Sequence, residues 1–559
     1  MLSRKDDGAT KAHGELLRVG TLSPFRHRLF LAIWSAALVS HFGGQIQGVG
    51  ASWLMTELAG SAQLIALVAT ATLLPVLLFS LPFGAMADIC DRRKVLLVAQ
   101  TVMFSASMAL ALLAFADAIT PNLLLVLTFV LGCGFALNSP AWQAAVREFV
   151  PADELEGAIS LNILGFHVAR TVAPALGGII VAAAGPKAAF AVNACTYIAL
   201  FVVLLRWRRT PDENSIPPEG VMSAMANGIR YLLHAESVGR IACRATLFGL
   251  CLASMLALIP LVARDLLGGG PLTFGMLLAF GGIGSVIGAS SATRLRTRFA
   301  PETITRGGQL LVALAIAIIA ASRSIPLTCF AELLSGAGMV LTFNSFTVTM
   351  QLSVPRWVVG RAMSIYQMGT FGGLALGSLM WGTIADATGV SVALGLSSAV
   401  LLAAVLTGIP FPLRQPDPQA LAPGKTFTGR QLDLAEDDAD ATVAVTVEYR
   451  ISDEDLDRFL GLMRQRRQII RRDGATSWSL AQEADDQALW CERFVRPNWT
   501  DFLRHRQRRT KEEEDNLEAI LALHRGDEEP RLRYFLEREP SATKLPNEPQ
   551  LGVSDPRWG

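Results

Sequence analysis

Residues 62–94 read AQLIALVATATLLPVLLFSLPFGAMADICDRRK, and this stretch decides the class of fold. From Ala62 to Ala87 there is no charged side chain, and a helix needs about 20 mainly apolar residues to cross the hydrocarbon core of a bilayer. Only internally hydrogen-bonded backbone is tolerated at that depth, so the run predicts a membrane-spanning helix. It ends in Asp88, Asp91, Arg92, Arg93 and Lys94, charges that belong at a water-facing edge. Equivalent runs recur near 29–55, 95–116, 122–147, 157–183 and 189–205, and again near 242–263, 273–293, 307–321, 327–350, 362–384 and 391–411. With 51% hydrophobic and 17% charged residues over 559 positions, the whole chain departs from the composition of water-soluble globular proteins. The expectation is an all-α polytopic membrane protein of twelve transmembrane helices, followed by a C-terminal region of different character.

Lys and Arg set the expected orientation, because short cytoplasmic loops are enriched in them. With the N-terminus inside, eighteen fall in cytoplasmic segments between residues 21 and 414, against only Lys187, Arg264 and Arg323 in the outer loops. An even number of spans then makes a multi-pass protein of the inner membrane with both termini cytoplasmic. Residues 1–27 lack a short apolar core ending in a small-residue cleavage site, so they read as a cytoplasmic lead-in. A net charge of +1 points to no nucleic-acid partner, and the seven cysteines fall singly, without metal-ligand spacing. No GxxxxGK[ST] loop is present, so ATP hydrolysis by this chain is not expected; no metal or other cofactor is expected either.

A shift of 204 residues, without a gap, lays the first set of runs on the second. It sets Gly84 on Gly288, Gly132 on Gly336, Gly134 on Gly338, Gly165 on Gly369, Gly178 on Gly382 and Gly185 on Gly389, with Arg92 and Lys94 on Arg296 and Arg298. One offset serves loops and helices alike, which predicts two parallel six-helix repeats and a small-molecule site between them near the midplane. The boundaries expected are a first half at 28–206, a central loop at 207–240, a second half at 241–411, a Pro-rich then acidic linker at 412–440, a soluble domain at 441–540 and a tail at 541–559.

The loop Gly84-Ala85-Met86-Ala87-Asp88-Ile89-Cys90-Asp91-Arg92-Arg93-Lys94 resembles the signature loop of the major facilitator superfamily. Gly84, Asp88, Arg92, Arg93 and Lys94 match, whereas Ile89 and Asp91 stand where the pattern favours a basic residue and a glycine. The resemblance implies a cytoplasmic gate that locks the halves together in the outward-facing state. Asp88 would then accept from backbone N–H groups at a helix end of the second half, where the helix dipole favours it. The plainer alternative is that the basic cluster is topogenic charge only. In the fifth run, Ala173-Pro174-Ala175-Leu176-Gly177-Gly178 resembles the superfamily's antiporter motif GPxxGG, with Ala173 for the first glycine. Ala169, Ala173 and Gly177, like Gly369, Gly373 and Gly377, follow at i+4 and allow close helix approach with or without antiport.

Arg170 lies halfway along that run, where a charge costs several kcal/mol unless it faces a polar cavity or a partner. His167 is one turn earlier, His41, Gln45 and Gln47 sit mid-way in the first run, and Glu332 is an acid well inside the tenth. These groups are candidates to line a central cavity, Arg170 binding an anionic part of a substrate or pairing with an acid in one state. Interhelical hydrogen bonding without transport chemistry is the alternative for the two histidines. If protons drive the process, Glu332, His41 and Glu57 are the groups to carry them.

Beyond the linker the pattern changes. Val443, Val445, Val447 and Tyr449 alternate as a strand, and Leu456, Phe459, Leu460, Met463 and Ile470 keep helical spacing. Trp478 and Leu480, then 488–495, suggest a strand pair, followed by a helix from near Trp499 and a strand through Leu532, Tyr534 and Leu536. That order, β-α-β-β-α-β, is ferredoxin-like. With the run Leu489-Trp490-Cys491-Glu492-Arg493-Phe494 it resembles the dimeric α+β barrel domains of the antibiotic-biosynthesis-monooxygenase type, which implies dimerisation through this domain. Such a domain is also fused to transporters of the transmembrane secretion effector and enterobactin exporter group, the subfamily this chain resembles. His505 and His524 have no nucleophile or metal spacing beside them, so no catalytic residues and no enzyme activity are expected. The leading expectation is a secondary active exporter of siderophore-like or drug-like molecules, with proton-coupled antiport as one mode; a ligand sensor signalling through the C-terminal domain and an importer of the same fold are the alternatives.

Overall fold

Long apolar runs bounded by turns and charges become helices, because each must satisfy its own backbone. The structure, a computed structural model, describes residues 22–151, 154–207, 236–354, 359–410, 412–413, 442–472, 474–498, 502, 511–526 and 530–537. The chain forms two compact units, one helical and one built on a C-terminal sheet. The helices are α1 (Arg28–Leu58), α2 (Ala62–Ile89), α3 (Arg92–Phe115), α4 (Pro121–Ala145), α5 (Leu155–Arg206), α6 (Glu236–Leu261), α7 (Pro271–Arg296), α8 (Pro301–Ala321), α9 (Ile325–Leu352), α10 (Val359–Thr388) and α11 (Val390–Leu406). Among the described residues nine helices are long and apolar enough to cross a membrane, and Val390–Leu406 is a shorter apolar one.

Helix α5 is two helices end to end, broken at Gly185 with φ +77°. Gly389, which separates α10 from α11, has φ +92°. Side chains rarely tolerate that backbone, so glycine is required at both turns, and the two positions are partners in the 204-residue offset. Helix starts follow local chemistry: Asp91 caps α3 by accepting from the N–H of Arg93 at 2.9 Å and of Lys94 at 3.4 Å. Thr120 caps α4, with Pro121 in its first turn. Asp91, which departs from the superfamily pattern, therefore has a helix-capping role.

The bundle has two ends. The near end holds the α2–α3 turn and the start of α1; the far end holds the α1–α2 turn at 59–61, Gly185, the α6–α7 turn and Gly389. Lipid offers no hydrophobic drive for helix association, so close backbone approach at small residues carries the packing. Glycines on corresponding helices make corresponding contacts. A Cβ on Gly132 would lie 2.7 Å from the Thr72 carbonyl of α2, and Gly336 abuts Gly281 of α7. Gly177 packs on Ile46 and Val49 of α1, and Gly377 on Leu250 and Ala253 of α6. Within the first half, Gln47 Oε1 accepts from Ser107 Oγ at 2.7 Å and from Asn193 Nδ2, tying α1, α3 and α5 together.

The C-terminal unit runs β1 (Thr442–Arg450), α12 (Leu456–Arg472), β2 (Ser477–Gln482), β3 (Leu489–Arg496), α13 (Lys511–Leu521) and β4 (Arg531–Glu537). The expected helix from near Trp499 is described from Lys511 onward; most of 499–510 lies outside the described residues. The sheet is antiparallel in the order β2-β3-β1-β4. Val443, Val445, Val447 and Tyr449 alternate onto its buried face, where Phe459, Met463 and Ile470 of α12 and Ile520 of α13 cover them. Most of the central loop, the linker, the tail and the N-terminal lead-in lies outside the described residues.

Candidate functional site

The two sets of helices meet along two seams. In the first, α5 crosses α7: a Cβ on Gly178 would lie 2.8 Å from the Gly275 Cα and 2.9 Å from the Pro271 carbonyl. The relation is reciprocal, since a Cβ on Gly275 would lie 2.8 Å from the Gly178 Cα and 3.0 Å from the Pro174 carbonyl. Two turns nearer the middle, Thr171 Oγ1 donates to the Gly282 carbonyl at 3.3 Å. The second seam joins α2 to α10, with Gly382 against Gln63 and Ala66, Gly372 against Leu77, and Thr70 Oγ1 donating to the Ala375 carbonyl at 3.1 Å. The antiporter-like motif is thus divided between two partners. Ala173 is fully buried, Gly177 faces α1 in its own half, and Pro174 and Gly178 face the other half.

Arg170 sits on the first seam. Its guanidinium NH2 lies 3.3 Å from the Met339 sulfur of α9, a contact between halves at mid-bundle. His167 is half-buried one turn below; its neighbour Phe166 meets His41 of α1 edge-on, ring centres 5.5 Å apart. Gln45 is half-buried in α1. Glu332 of α9 is 2% exposed and faces Gly281 of α7, with one carboxyl oxygen lacking a hydrogen-bond partner. Met339 lies two turns from Glu332 along α9, so Arg170 contacts the face of α9 that carries Glu332. Glu57 belongs elsewhere: it is exposed at the far end and accepts from Trp53 Nε1 at 2.7 Å.

Arg92 and Arg93 of the basic cluster brace their own half. Arg92 binds Glu148 at 2.7 Å, and Arg93 donates to the Leu204 and Leu205 carbonyls at 3.0 and 2.6 Å, satisfying the C-terminal end of α5. The symmetry-related Arg296 donates to the Asn344 carbonyl of α9 at 3.0 Å. Gly84 and Asp88 lie in the last turns of α2, and the Asp88 side chain lies outside the described residues. In the second half the near end is held by Glu302, which accepts from Arg244 at 2.7 and 3.1 Å, from Arg306 at 2.7 Å and from the Leu413 N–H at 2.9 Å. At the far end polar contacts cross between halves: Asp386 accepts from Ser61 Oγ at 2.9 Å and from the Ala62 N–H at 2.8 Å, and Arg264 donates to the Thr56 carbonyl at 2.6 Å. Nothing in the sequence alone marked Asp386, Arg264, Arg244 or Met339 as part of a site.

The C-terminal unit hides a polar cluster. Glu492 is fully buried and accepts from Arg466 Nε at 2.8 Å, from Trp478 Nε1 at 2.8 Å and from Tyr449 Oη at 3.0 Å. Burial pushes the Tyr449 hydroxyl well above its ordinary pKa, and the Glu492 charge adds to that. For Arg466 burial works against the charge, but the Glu492 carboxylate prevails and holds the guanidinium above its ordinary value. His524 Nδ1 accepts from the Arg450 N–H at 2.9 Å, and His505 lies outside the described residues.

Apolar helix sets meeting on glycine-lined seams, with a charged side chain bridging them at mid-depth, define a polytopic membrane transport protein. The chain belongs to the transmembrane secretion effector family of the major facilitator superfamily, which matches residues 19–542. It is 25% identical over 388 residues to the multidrug efflux pump Tap of Mycolicibacterium fortuitum, covering 67% of this chain and 94% of that protein. Macrolide efflux protein A of Streptococcus pyogenes is 22% identical over 244 residues, 43% of this chain and 60% of that one. Among solved structures, the nucleoside transporter NupG superposes with TM-score 0.56 at 12% identity, covering 68% of this chain and 98% of that one. A bacterial homologue of the human lysosomal transporter Spinster gives TM-score 0.55 at 14% identity, covering 69% and 95%. At those identities the solved structures speak for the fold alone.

Proposed function

We propose that this chain is a secondary active exporter of small amphipathic molecules, drug-like or siderophore-like, working by alternating access of its two halves. The observation that carries the proposal is Arg170, a guanidinium held on the seam between halves at mid-bundle and touching α9 of the other half through Met339. A charge kept at that depth suits contact with an anionic part of a cargo or with an acid in another state. The efflux functions named for its relatives support export. Proton-coupled antiport fits Glu332, a buried carboxyl with an unpartnered oxygen near the same seam, and Pro174 and Gly178 on the seam itself.

Counting α5 as two helices at the Gly185 break gives six in each half among the described residues, which fits a twelve-span chain with both termini in the cytoplasm of a cell bounded by an inner membrane. The near end is then cytoplasmic and the far end outside. The cytoplasmic gate assigned to Gly84, Asp88, Arg92, Arg93 and Lys94 operates in the opposite state, when the near end closes. The C-terminal sheet order suits a ferredoxin-like domain that dimerises as an α+β barrel. Transport of dyes, macrolides and catecholate siderophores, followed both ways in inside-out and right-side-out vesicles with and without a pH gradient, tests the proposal. Uptake into inside-out vesicles that collapses with the gradient is expected; ligand binding without movement would replace the exporter by a membrane-bound sensor.

A further inference from the structure

The far-end contacts share a logic that reaches beyond the cavity. The α1–α2 turn at 59–61 presents two helix ends side by side: the last turn of α1, with carbonyls lacking helical partners, and the first turn of α2, with orphan N–H groups. The first is the negative end of a helix dipole and the second the positive end. The second half supplies the matching charge to each. Arg264, in the π-helical turn Val262–Leu266 that follows α6, donates to the Thr56 carbonyl of α1 at 2.6 Å, and its other nitrogens are held by Asp265 at 2.6 and 3.1 Å. Asp386, in the last turn of α10, accepts from the first N–H of α2, on Ala62, at 2.8 Å and from Ser61 Oγ at 2.9 Å. Both contacts stand on the wall of an open cleft of about 390 Å³ between the halves.

We infer that Arg264 and Asp386 form a two-point lock on the α1–α2 helix ends that holds the far mouth shut and breaks each time that mouth opens. The inference rests on the alternating-access reading above. Neither residue touches Arg170 or Glu332 in the described contacts, so the lock sets the balance between states and leaves the cargo site alone. Asp386 is to the far mouth what Asp88 is proposed to be to the near one, an acid at the C-terminal end of one helix of the antiparallel α2–α10 pair that caps the start of the other. The two caps cannot both be made if the halves rock about the mid-bundle, so forming one releases the other.

Spin labels at Gly60→Cys and Val392→Cys, in full-length protein with its native cysteines replaced and reconstituted in liposomes, report the far-mouth opening. A side chain at Gly60 meets nothing within 4 Å, and Val392 is exposed, so neither label disturbs packing. The unsubstituted lock should give a dominant short distance and a minor long one. Asp386→Ala and Arg264→Gln should each raise the ratio of long to short about tenfold, the scale of losing one charge-assisted hydrogen bond, and together by more than either alone. Asp386→Asn keeps an acceptor for the Ala62 N–H and should recover most of the closed state. Distances that interconvert with cargo but ignore all of these substitutions overturn the lock and leave the transporter standing. A single distance under every cargo and gradient, with no transport, overturns both.

Discussion

Gly178→Ala places one methyl group where the backbones of α5 and α7 touch, toward the far end of their seam. The added carbon would sit 2.8 Å from the Gly275 Cα and 2.9 Å from the Pro271 carbonyl, both backbone atoms that no rotamer change can move. Non-bonded carbons rest at about 3.5–4.0 Å, so the two helices must part by roughly 1 Å at the far side of the bundle. Overpacking of this kind costs about 1–3 kcal/mol. The cost falls only on states in which α5 and α7 are in contact at that level, so it tilts the balance toward the open far mouth by about 5- to 150-fold. Labels at Ala183→Cys and Leu272→Cys would read the change as a gain in the long distance, and turnover should fall because the closed far state becomes rare. Gly177→Ala is the control: its methyl would press on Ile46 and Val49 within the first half, lowering thermal stability without shifting the balance. An unchanged distance distribution in Gly178→Ala, with normal turnover, would falsify the assignment of this crossing as a moving seam.

Arg170→Lys keeps the charge but loses the planar fork, so part of the transport should survive, whereas Arg170→Ala should abolish cargo affinity or turnover in proteoliposomes; wild-type values for both would remove Arg170 from the pathway. In the C-terminal domain, Glu492→Gln leaves the Arg466 guanidinium buried without its counter-charge and should cost about 3–5 kcal/mol, read from tryptophan fluorescence during urea unfolding. Replacing both partners, Arg466→Met with Glu492→Leu, should cost less than either alone. Hydrogen bonds from Arg525 and Ser452 to Asp455, and from Arg450 and the Ala488 N–H to Asp486, hold both carboxyls below their ordinary pKa. Their contribution is therefore complete above the usual aspartate range and lost as pH falls through the lowered values, so protection of the β2–β3 hairpin amides, relative to their intrinsic exchange at each pH, should fall in acid and hold near neutrality. A reporter active only outside the cytoplasm, fused after Gly559, should stay silent; a signal there would invert the proposed orientation.

The spans were legible because a bilayer leaves the sequence no choice: from Ala62 to Ala87 every residue must be tolerable in hydrocarbon, and the charges at 88–94 mark the exit. Gly185 and Gly389 were visible as a repeat, and their left-handed backbone gives that repeat a cause. The cross-half contacts were not legible. Gly178 meets Gly275, which the 204-residue offset does not pair with it, and only the crossing of α5 over α7 brings the two together. Asp386 carried a faint signal, an acid in the last turn of a span, but its counterpart in the first half is Ala182 and the repeat gave it no weight. Glu492 could have been found: Trp490, Glu492 and Phe494 share one face of a strand, so an acid between two aromatics at period two announces a buried charge in need of a partner.

The far end of the bundle is also where the chain is most economical. Its connections are 59–61, Ala116–Thr120, Gly185 alone, 262–270 with a π-helical turn over Val262–Leu266, 322–324 and Gly389 alone. In the proposed orientation this is the face shown to the surroundings, and it offers almost no extended backbone. A protease needs several residues of unfolded chain in its cleft, and an antibody needs a protruding surface to grip. The cell's exterior would thus meet a transporter that is nearly without loops, open to attack by small molecules entering its cleft but presenting little that a macromolecule can seize.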